Sequence, residues 1–335
     1  MNNSKIFIGP MSKNIVDTVC EYSNKNNIVI GIIPSRRQIE YNGGYVNKWT
    51  TKQFINYVRN KSKNVVLQRD HAGPLQGSCS DDGKKSVLVD SKCSFDLIHI
   101  DPWKKYKDVD EAAESTSELI KASLAINKNI NYEVGTEAAI RKYTPQEFER
   151  FLFLVHKKTG TDFKKIKYAV VQGGTKIIGN KNTGTLNVER CSKMIEICKN
   201  FNLLSKEHNG DYLNFDNIKQ RFELGLDAIN IAPEFGFIET QTILDELFNN
   251  LDDVCYNKFY NVCYQSNKWK KWFSPDIQNK PEDIKKIAIL RAAGHYVFAN
   301  EEIIAIKNLY PDLDCKIKNN ISKKIDEILK AIKNE

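Results

Sequence analysis

The feature that most limits the fold of this chain is a regular alternation between short apolar runs and longer segments with helical spacing. The apolar runs are rich in β-branched residues, and there are eight of them: KIFIG (5–9), IVIGII (28–33), VVLQR (65–69), FDLIHI (95–100), INYEV (130–134), YAVVQ (168–172), LLSKE (203–207) and DAINI (227–231). Such runs, separated by helices, are typical of parallel strands covered by helices. The pattern predicts an α/β fold.

The segments between the runs have the apolar spacing of helices that pack on a sheet. In 109–126, 144–158 and 187–201, apolar residues recur every three or four positions. Thr144, Pro145 and Glu147 form a capping box with proline at the first helical position, which predicts a helix start there. Eight strand and helix units in about 250 residues match a (β/α)8 TIM barrel, and a doubly wound sheet is the alternative. We predict the barrel, over residues 1–250.

The strand pattern ends after residue 250. The segments 252–273, 281–299, 301–309 and 319–334 predict helices. We expect this C-terminal helical extension, residues 251–335, to pack on the barrel as a lid or as an oligomerisation surface. A homo-oligomer, either a dimer or a tetramer, is therefore expected.

Composition excludes several classes of protein. Hydrophobic residues make up 41% and charged residues 27% of the chain, and no apolar run approaches the roughly 18 residues that cross a bilayer. The N-terminal segment lacks the features of a secretory signal, so we expect a cytoplasmic protein without a membrane partner. The eight cysteines form no CxxC pair, which argues against a zinc ribbon or a disulfide framework. The net charge of +8 is spread along the chain, which favours an anionic small substrate or a solvated lysine-rich surface over nucleic acid.

Polar residues cluster just past the apolar runs, where a parallel barrel carries its chemistry. They are Ser35, Arg36, Arg37, Asp70, His71, His99, Asp101, Glu133, Glu137, Gln172, Gly173, Gly174, Thr175, Glu207, His208, Asp211, Asn230 and Glu234. Two imidazoles and a carboxylate from different strands are a common ligand set of a catalytic divalent metal. His71 and His208, with Glu133 or Glu137, fit that description. A histidine taken alone more often merely satisfies backbone groups at a barrel rim, and the occurrence of all of them at the ends of predicted strands favours the metal site.

Two further patterns could bind an anion. Arg36 and Arg37 follow a Pro-Ser turn and could hold a phosphate or a carboxylate through bidentate hydrogen bonds, although plain salt bridges are an equal alternative. The glycine-rich stretches at 172–176 and 208–211 could bring backbone N–H groups to a phosphate, but each is a weak pattern by itself. His156 is expected at the surface. His295 is expected to be structural unless a lid brings it to the site.

The order of the motifs resembles a known family. The motifs are PSRRQIEYNGGYVNKWTTKQF (34–54), RDHAGPLQG (69–77), IHIDPW (98–103), YEVGTEA (132–138), VVQGGT (170–175), EHNGDY (207–212) and INIAPEFG (229–236). Together they resemble the accessory subunit of class II tagatose-bisphosphate aldolase, and more broadly the class II metal-dependent sugar-phosphate aldolases. The resemblance covers roughly residues 5–250.

The resemblance implies roles for particular residues. It makes His71 a zinc ligand and Asp70 the acid/base, and it likens Glu133 and His208 to further metal ligands. Asn230 is similar to the asparagine that holds the dihydroxyacetone phosphate portion of the substrate. The remaining residues expected to bind substrate are Arg36, Arg37, Gln38, Asp101, Gln172, Gly173, Gly210 and Glu234. The implied cofactor is a divalent metal, Zn²⁺ in the first place, with Mg²⁺ or Mn²⁺ as alternatives.

The chain also departs from the catalytic aldolases of that family. It has Gly-Gly-Thr-Lys at 173–176, where those enzymes carry a further metal-binding histidine, and the accessory branch, regarded as non-catalytic, lacks that histidine too. Our leading hypothesis is a metal-dependent lyase of aldolase type acting on a sugar phosphate or another anionic sugar. The alternatives are an epimerase or isomerase on the same site, and a non-catalytic partner that stabilises a separate aldolase subunit.

Overall fold

Eight parallel strands close into a barrel in a computed structural model that describes residues 4–272 and 277–333. Around the barrel the strands follow the order β1-β10-β9-β6-β5-β4-β3-β2. Their bounds are Ile6–Ile8 (β1), Ile30–Ile32 (β2), Val65–Ala72 (β3), Leu97–Ile100 (β4), Asn131–Val134 (β5), Ile166–Val171 (β6), Leu204–Glu207 (β9) and Ala228–Ile231 (β10). A short hairpin, Ile177–Ile178 (β7) and Lys181–Asn182 (β8), lies outside the barrel. The predicted (β/α)8 TIM barrel is confirmed.

A helix follows each barrel strand. These are Lys13–Asn26 (α1), Thr51–Lys61 (α2), Lys84–Lys92 (α3), Val109–Leu124 (α4), Pro145–Thr159 (α5), Val188–Asn200 (α6), Phe215–Glu223 (α7) and Pro233–Asn249 (α8). The predicted capping box at α5 is present, with the Thr144 side chain accepting from the Glu147 backbone and the Glu147 side chain accepting from the Thr144 backbone. A 3-10 turn, Gly160–Lys165, continues α5 towards β6.

The C-terminal extension is helical. It contains Asp253–Gln265 (α9), a 3-10 helix at Lys268–Trp272, Glu282–Val297 (α10), Glu301–Asn308 (α11) and Leu313–Lys333 (α12). The single helix predicted over 252–273 is broken because Asn267 adopts a left-handed conformation (φ 55°). Residues 273 and 334, the ends of two predicted tail helices, lie outside the described residues.

Apolar residues at helical spacing fix α12 to the barrel. Leu313, Ile317, Ile321 and Ile325 are fully buried, and the helix packs against α1, α7 and α8. The division at residue 250 and the role of the extension as a lid stay predictions. In the part of the chain that the structure describes, no helix combines the length and the apolar character needed to cross a membrane.

The barrel interior changes from apolar to polar towards the carboxyl ends of the strands. Phe7, Leu97 and Tyr168 belong to an apolar cluster in the interior, packed with Val66 and Leu204. Residues two positions apart on a strand point the same way and are separated by about 6.6 Å along it. The next inward positions on β3, β4 and β9 carry polar side chains: Gln68, His99 and Lys206. A layer of buried polar groups therefore lies directly above the apolar layer.

An irregularity at the end of β3 brings two consecutive side chains to one face. Neighbouring residues of a regular strand point to opposite faces. The register between β3 and β4 shifts between Arg69 and Ala72, and His71 has a φ of 45°, which is unusual for a residue other than glycine. Arg69 points outward to Asp90 of α3, whereas both Asp70 and His71 face the barrel axis. Strain of this kind often marks a functional site.

Candidate metal centre

Three imidazoles meet at the carboxyl end of the barrel. The ring centroids of His71, His99 and His208 are 4.8, 4.9 and 5.2 Å apart, so the rings form a nearly regular triangle. Asp70 lies beside them. One ligand atom from each of the four residues can be chosen so that all lie within 4.8 Å of one another. His99 and His208 are buried, and Asp70 and His71 are half-buried.

A carboxylate holds the first imidazole. Asp101 Oδ2 lies 2.6 Å from His71 Nδ1, and it also accepts a hydrogen bond from Thr136. A carboxylate accepts the Nδ1 proton, so the lone pair of His71 lies on Nε2. This nitrogen faces Asp70 and Glu137, at 3.7 and 3.5 Å. An imidazole oriented by a carboxylate through its other nitrogen is the usual arrangement around a protein-bound metal.

The other two imidazoles are held in the same way. His99 Nε2 lies 3.0 Å from the carbonyl oxygen of Gly135, which can only accept, so its Nδ1 carries the lone pair. The His71 backbone N–H donates to this Nδ1 at 3.3 Å. His208 Nε2 lies 2.5 Å from Glu133 Oε1, which leaves His208 Nδ1 facing Glu137 at 3.7 Å. Each ring thus has one nitrogen fixed by an acceptor; the second nitrogens of His71 and His208 face Glu137, and that of His99 accepts from the His71 backbone N–H.

Glu133 has a different position from the one predicted for a metal ligand. Its carboxylate accepts hydrogen bonds from Gln68 (2.6 Å) and Lys206 (2.7 Å) in addition to its contact with His208. Burial raises the pKa of Glu133, but the charges of Lys206, His99 and His208 offset this effect and hold the pKa well below its ordinary value. Glu133 therefore orients His208 from beneath the centre.

Glu137, the alternative carboxylate, faces the cavity. Its Oε2 is near both His71 Nε2 and His208 Nδ1. Burial raises the pKa of Glu137, but the contacts with His208 and His71 outweigh this effect and hold the pKa well below its usual range. Of the two predicted glutamates, Glu137 is the one whose carboxylate is directed at the open nitrogens.

The acidic and imidazole groups of the centre shift one another's pKa values. Burial raises the pKa of Asp70, but the charges of His71 and its neighbours outweigh it, so this carboxyl titrates below its usual range. Burial lowers the pKa of His208, and Glu133 raises it to about 9. Asp70 Oδ1 is buried and has no hydrogen-bond partner among the described residues. An ionised oxygen in this position can accept a proton from a bound ligand.

A cavity of about 1050 Å³ opens above the centre. The predicted site residues that line it are Arg37, Gln38, Asp70, His71, Glu137, Gln172, His208 and Asn230. Both polar atoms of the buried Asn230 amide lack a hydrogen-bond partner among the described residues, which is the state expected of a group that contacts a ligand. The extension contributes Lys271, Trp272, His295 and Tyr296 to the walls, so His295 does lie at the cavity. His156 is exposed, as expected, and its ring packs on Phe163.

Several residues predicted to bind substrate make internal contacts instead. Arg36 is 3% exposed and forms ion pairs with Glu40 and Asp81, as in the alternative of a plain salt bridge. Asp101 is fully buried behind His71. Glu234 accepts from the Tyr212 backbone and pairs with Lys324 of α12 at 2.8 Å. Glycines at 173 and 210 lie against Glu207 and Ile229, respectively, and neither lines the cavity.

His99 is the site residue whose role the sequence did not predict. It lies in the middle of LIHI (97–100), a run in which the other three residues are aliphatic. A histidine in an apolar barrel strand was a usable signal, because the inward side of such a strand normally carries apolar residues near the middle of the barrel. The imidazole of His99 supplies a third nitrogen donor, from β4. The loop after β6, at 172–176, contains no histidine that could do so.

Solved structures share the fold of this chain, although no family model and no curated protein matches its sequence. A probable tagatose 6-phosphate kinase from Sinorhizobium meliloti 1021 is 13% identical, with a TM-score of 0.77 over 98% of this chain and 100% of that chain. A fructose-bisphosphate aldolase from Campylobacter jejuni is 12% identical, with a TM-score of 0.62 over 98% and 90%. The YdjI aldolase from Escherichia coli K12 is 13% identical, with a TM-score of 0.56 over 99% and 94%. These likenesses concern the fold, and the predicted accessory-subunit family stays a prediction.

Proposed function

We propose that this chain is a metal-dependent lyase of the class II aldolase type that acts on an anionic sugar, most simply a sugar phosphate. The observation that carries the proposal is the convergence of three oriented imidazoles beside an ionised aspartate at the carboxyl end of a barrel. The aldolase structures that share the fold are consistent with this reaction. His71, His99 and His208 would hold the metal, with Glu137 in reach as a further ligand.

The donor set fits a divalent transition metal such as Zn²⁺. Three imidazole nitrogens with an open position are the ligand pattern of catalytic zinc, and Mn²⁺ or Mg²⁺ would favour more oxygen ligands. A metal bound there would polarise a substrate carbonyl and stabilise the negative charge that develops on its oxygen. The Asp70 oxygen that has no partner among the described residues would be left for the substrate, because a buried carboxylate oxygen without a partner is costly unless a ligand completes it.

The residues of the chain would perform the proton transfer. In cleavage, Asp70 takes the proton from the substrate hydroxyl whose carbon becomes the aldehyde, the carbon–carbon bond breaks, and its electron pair passes to the other fragment as an enediolate that is protonated from solvent; condensation runs these steps in reverse. Its low pKa keeps it ionised at neutral pH, as a base requires. Asn230, whose two amide atoms have no hydrogen-bond partner among the described residues, would bind hydroxyl or carbonyl groups of the substrate.

A direct test is aldol chemistry on a panel of sugar phosphates, followed with and without a chelator. The proposal expects cleavage, or condensation of dihydroxyacetone phosphate with an aldehyde, that disappears with EDTA and returns with Zn²⁺ or Mn²⁺. Epimerisation without cleavage would support the epimerase alternative, with the same metal centre. No reaction with any substrate until a separate aldolase is added would support the accessory-subunit alternative.

Replacing the carboxylate behind His71 tests the orientation of the ligands. Asp101→Asn should lower the affinity for the metal by about 10- to 100-fold, since second-layer carboxylates of this kind have effects of that size. Thr136→Val is the matched control, because it removes one hydrogen bond to Asp101 and leaves its carboxylate in place. Competition with a chromophoric chelator measures both affinities. Equal affinities in Asp101→Asn and the wild type would contradict this role of Asp101.

A further inference from the structure

The chain's own carboxylates occupy two places that could otherwise bind phosphate. The first is a position at which a TIM barrel frequently binds phosphate, at the loops after the seventh and eighth barrel strands and the helix start that follows, here after β9 and β10. Asp211 Oδ1 accepts from the backbone N–H groups of Ala232 and Glu234, at 2.7 and 2.9 Å, at the start of α8. A bound phosphate would have to displace this carboxylate.

A second carboxylate, that of Glu207 at the end of β9, lies against the glycine-rich loop after β6. A side chain at Gly173 would meet Glu207 Oε1 at 2.7 Å, so the loop closes directly over this acid. Burial raises the pKa of Glu207, while Arg221 and the nearby N–H groups of Thr175 and Gly173 lower it. The backbone N–H groups that the QGGTK pattern could offer to a phosphate thus face an internal acid.

Arg37 and Lys271 line a different wall of the cavity, and Lys104, which is not among the lining residues, lies near both. Arg37 follows β2, Lys104 follows β4, and Lys271 belongs to the 3-10 helix of the extension. Within the described residues, no carboxylate oxygen lies within 4.0 Å of the side-chain nitrogens of these three residues. Lys271 Nζ lies over the Trp272 ring, 4.2 Å from its centroid, and both residues line the cavity.

The three cations are close enough to affect one another. Burial and then the charge of Arg37 lower the pKa of Lys104, although Asp101 and Glu137 oppose the shift. Burial and then Arg37 and Lys268 lower the pKa of Lys271 to about 8, against a weaker effect of Glu137. Like charges held together without a counterion are stabilised when an anion binds between them.

We propose that Arg37 and Lys271 form the subsite for the phosphate group of the substrate, with Lys104 adding positive charge nearby, and that the helical extension completes this subsite. The inference rests on the proposed function for the identity of the ligand, and it adds where the anion binds. A phosphate dianion suits the cluster better than a carboxylate, because three neighbouring cations leave more charge to neutralise than one negative charge provides. Arg37 offers a planar fork of donors, and the two lysines offer point charges.

Titration of inorganic phosphate into the full-length chain by calorimetry tests the subsite. Ionic strength is held constant, and the titration is repeated after EDTA and with acetate in place of phosphate. We expect Lys271→Ala and Arg37→Ala each to raise the Kd for phosphate by about tenfold or more, the size expected for one lost charge-assisted hydrogen bond. Lys270→Ala is the matched control, since this exposed lysine precedes Lys271 on the same 3-10 helix and does not line the cavity. Acetate should bind more weakly than phosphate.

Several results would overturn the inference. They are wild-type affinity in both Lys271→Ala and Arg37→Ala, an equal loss in Lys270→Ala, no phosphate binding by the wild type, and loss of phosphate binding after EDTA. The last result would place the phosphate on the metal. Since the titration needs no turnover, phosphate binding that depends on Lys271 in a chain without lyase activity would support the subsite and count against the proposed function. Lyase activity with an unchanged KM in Lys271→Ala would support the proposed function and count against the subsite.

Discussion

Asp70→Asn is expected to lower kcat by a factor of about 10² to 10⁴, the range over which a positioned acid/base contributes to a reaction. Asparagine keeps the size and shape of the side chain and removes its ability to take a proton. Metal content should stay near that of the wild type, because the three imidazoles keep the partners that orient them. Steady-state kinetics with the substrate found in the panel, together with metal analysis of the same preparation, measure both quantities.

The comparison with Asp101→Asn separates two roles that aspartates can have near His71. Asp70 faces the cavity and has one oxygen without a hydrogen-bond partner in the described part of the chain, whereas Asp101 lies behind the ring and is fully buried. We therefore expect the Asp70 variant to lose turnover with its metal retained, and the Asp101 variant to lose metal affinity. Wild-type turnover in Asp70→Asn would remove this residue from the mechanism. Loss of metal in Asp70→Asn would make it a ligand instead of the base.

Lys206→Met is expected to lower the free energy of unfolding by about 3–5 kcal/mol, since removing one partner of a buried ion pair leaves the other charge uncompensated. Lys206 is fully buried, donates to Glu133 and Gln68 at 2.7 and 2.8 Å, and lies over the Phe7 ring, 3.4 Å from its centroid. Burial lowers the pKa of Lys206, and the charge of Glu133 opposes this shift. Urea unfolding in the presence of EDTA measures the effect without a contribution from bound metal.

The double variant Lys206→Met with Glu133→Gln is the control for this prediction. It removes both charges, so most of the lost stability should return, while the support for His208 is weakened and metal affinity falls. Recovery of stability without recovery of metal affinity would identify Lys206 and Glu133 as a positioning pair for His208. A single variant within about 1 kcal/mol of the wild type would contradict the buried ion pair, because removal of one partner normally costs several times as much.

The barrel could be predicted from the sequence because its signals are local. Each strand is a continuous apolar run between helical segments, and the start of α5 is marked by Thr144 and Glu147 within four residues. The resemblance to class II aldolases also identifies His71 and His208 as candidate metal ligands. These two residues do lie together at the carboxyl end of the barrel, 5.2 Å apart between ring centroids.

The details of the site depend on contacts between distant parts of the chain. The pair between Glu133 and Lys206 joins β5 to β9, and neither strand indicates by itself that the other carries a partner. The orientation of His71 depends on its own left-handed backbone conformation and on the register shift between β3 and β4. The regular alternation of a strand predicts neither feature. The cluster of Arg37 with Lys271 requires the extension to reach the barrel rim, and the sequence left that role open.

Elemental mass spectrometry of protein purified without chelator tests the central claim most directly. The wild type should contain close to one divalent metal per chain, and this metal should disappear when His71→Ala is combined with His208→Ala. His156→Ala is the matched control, because this histidine is exposed and lies away from the cavity. Wild-type protein that contains no metal and takes up none on reconstitution, or a double variant that keeps its metal, would contradict the account.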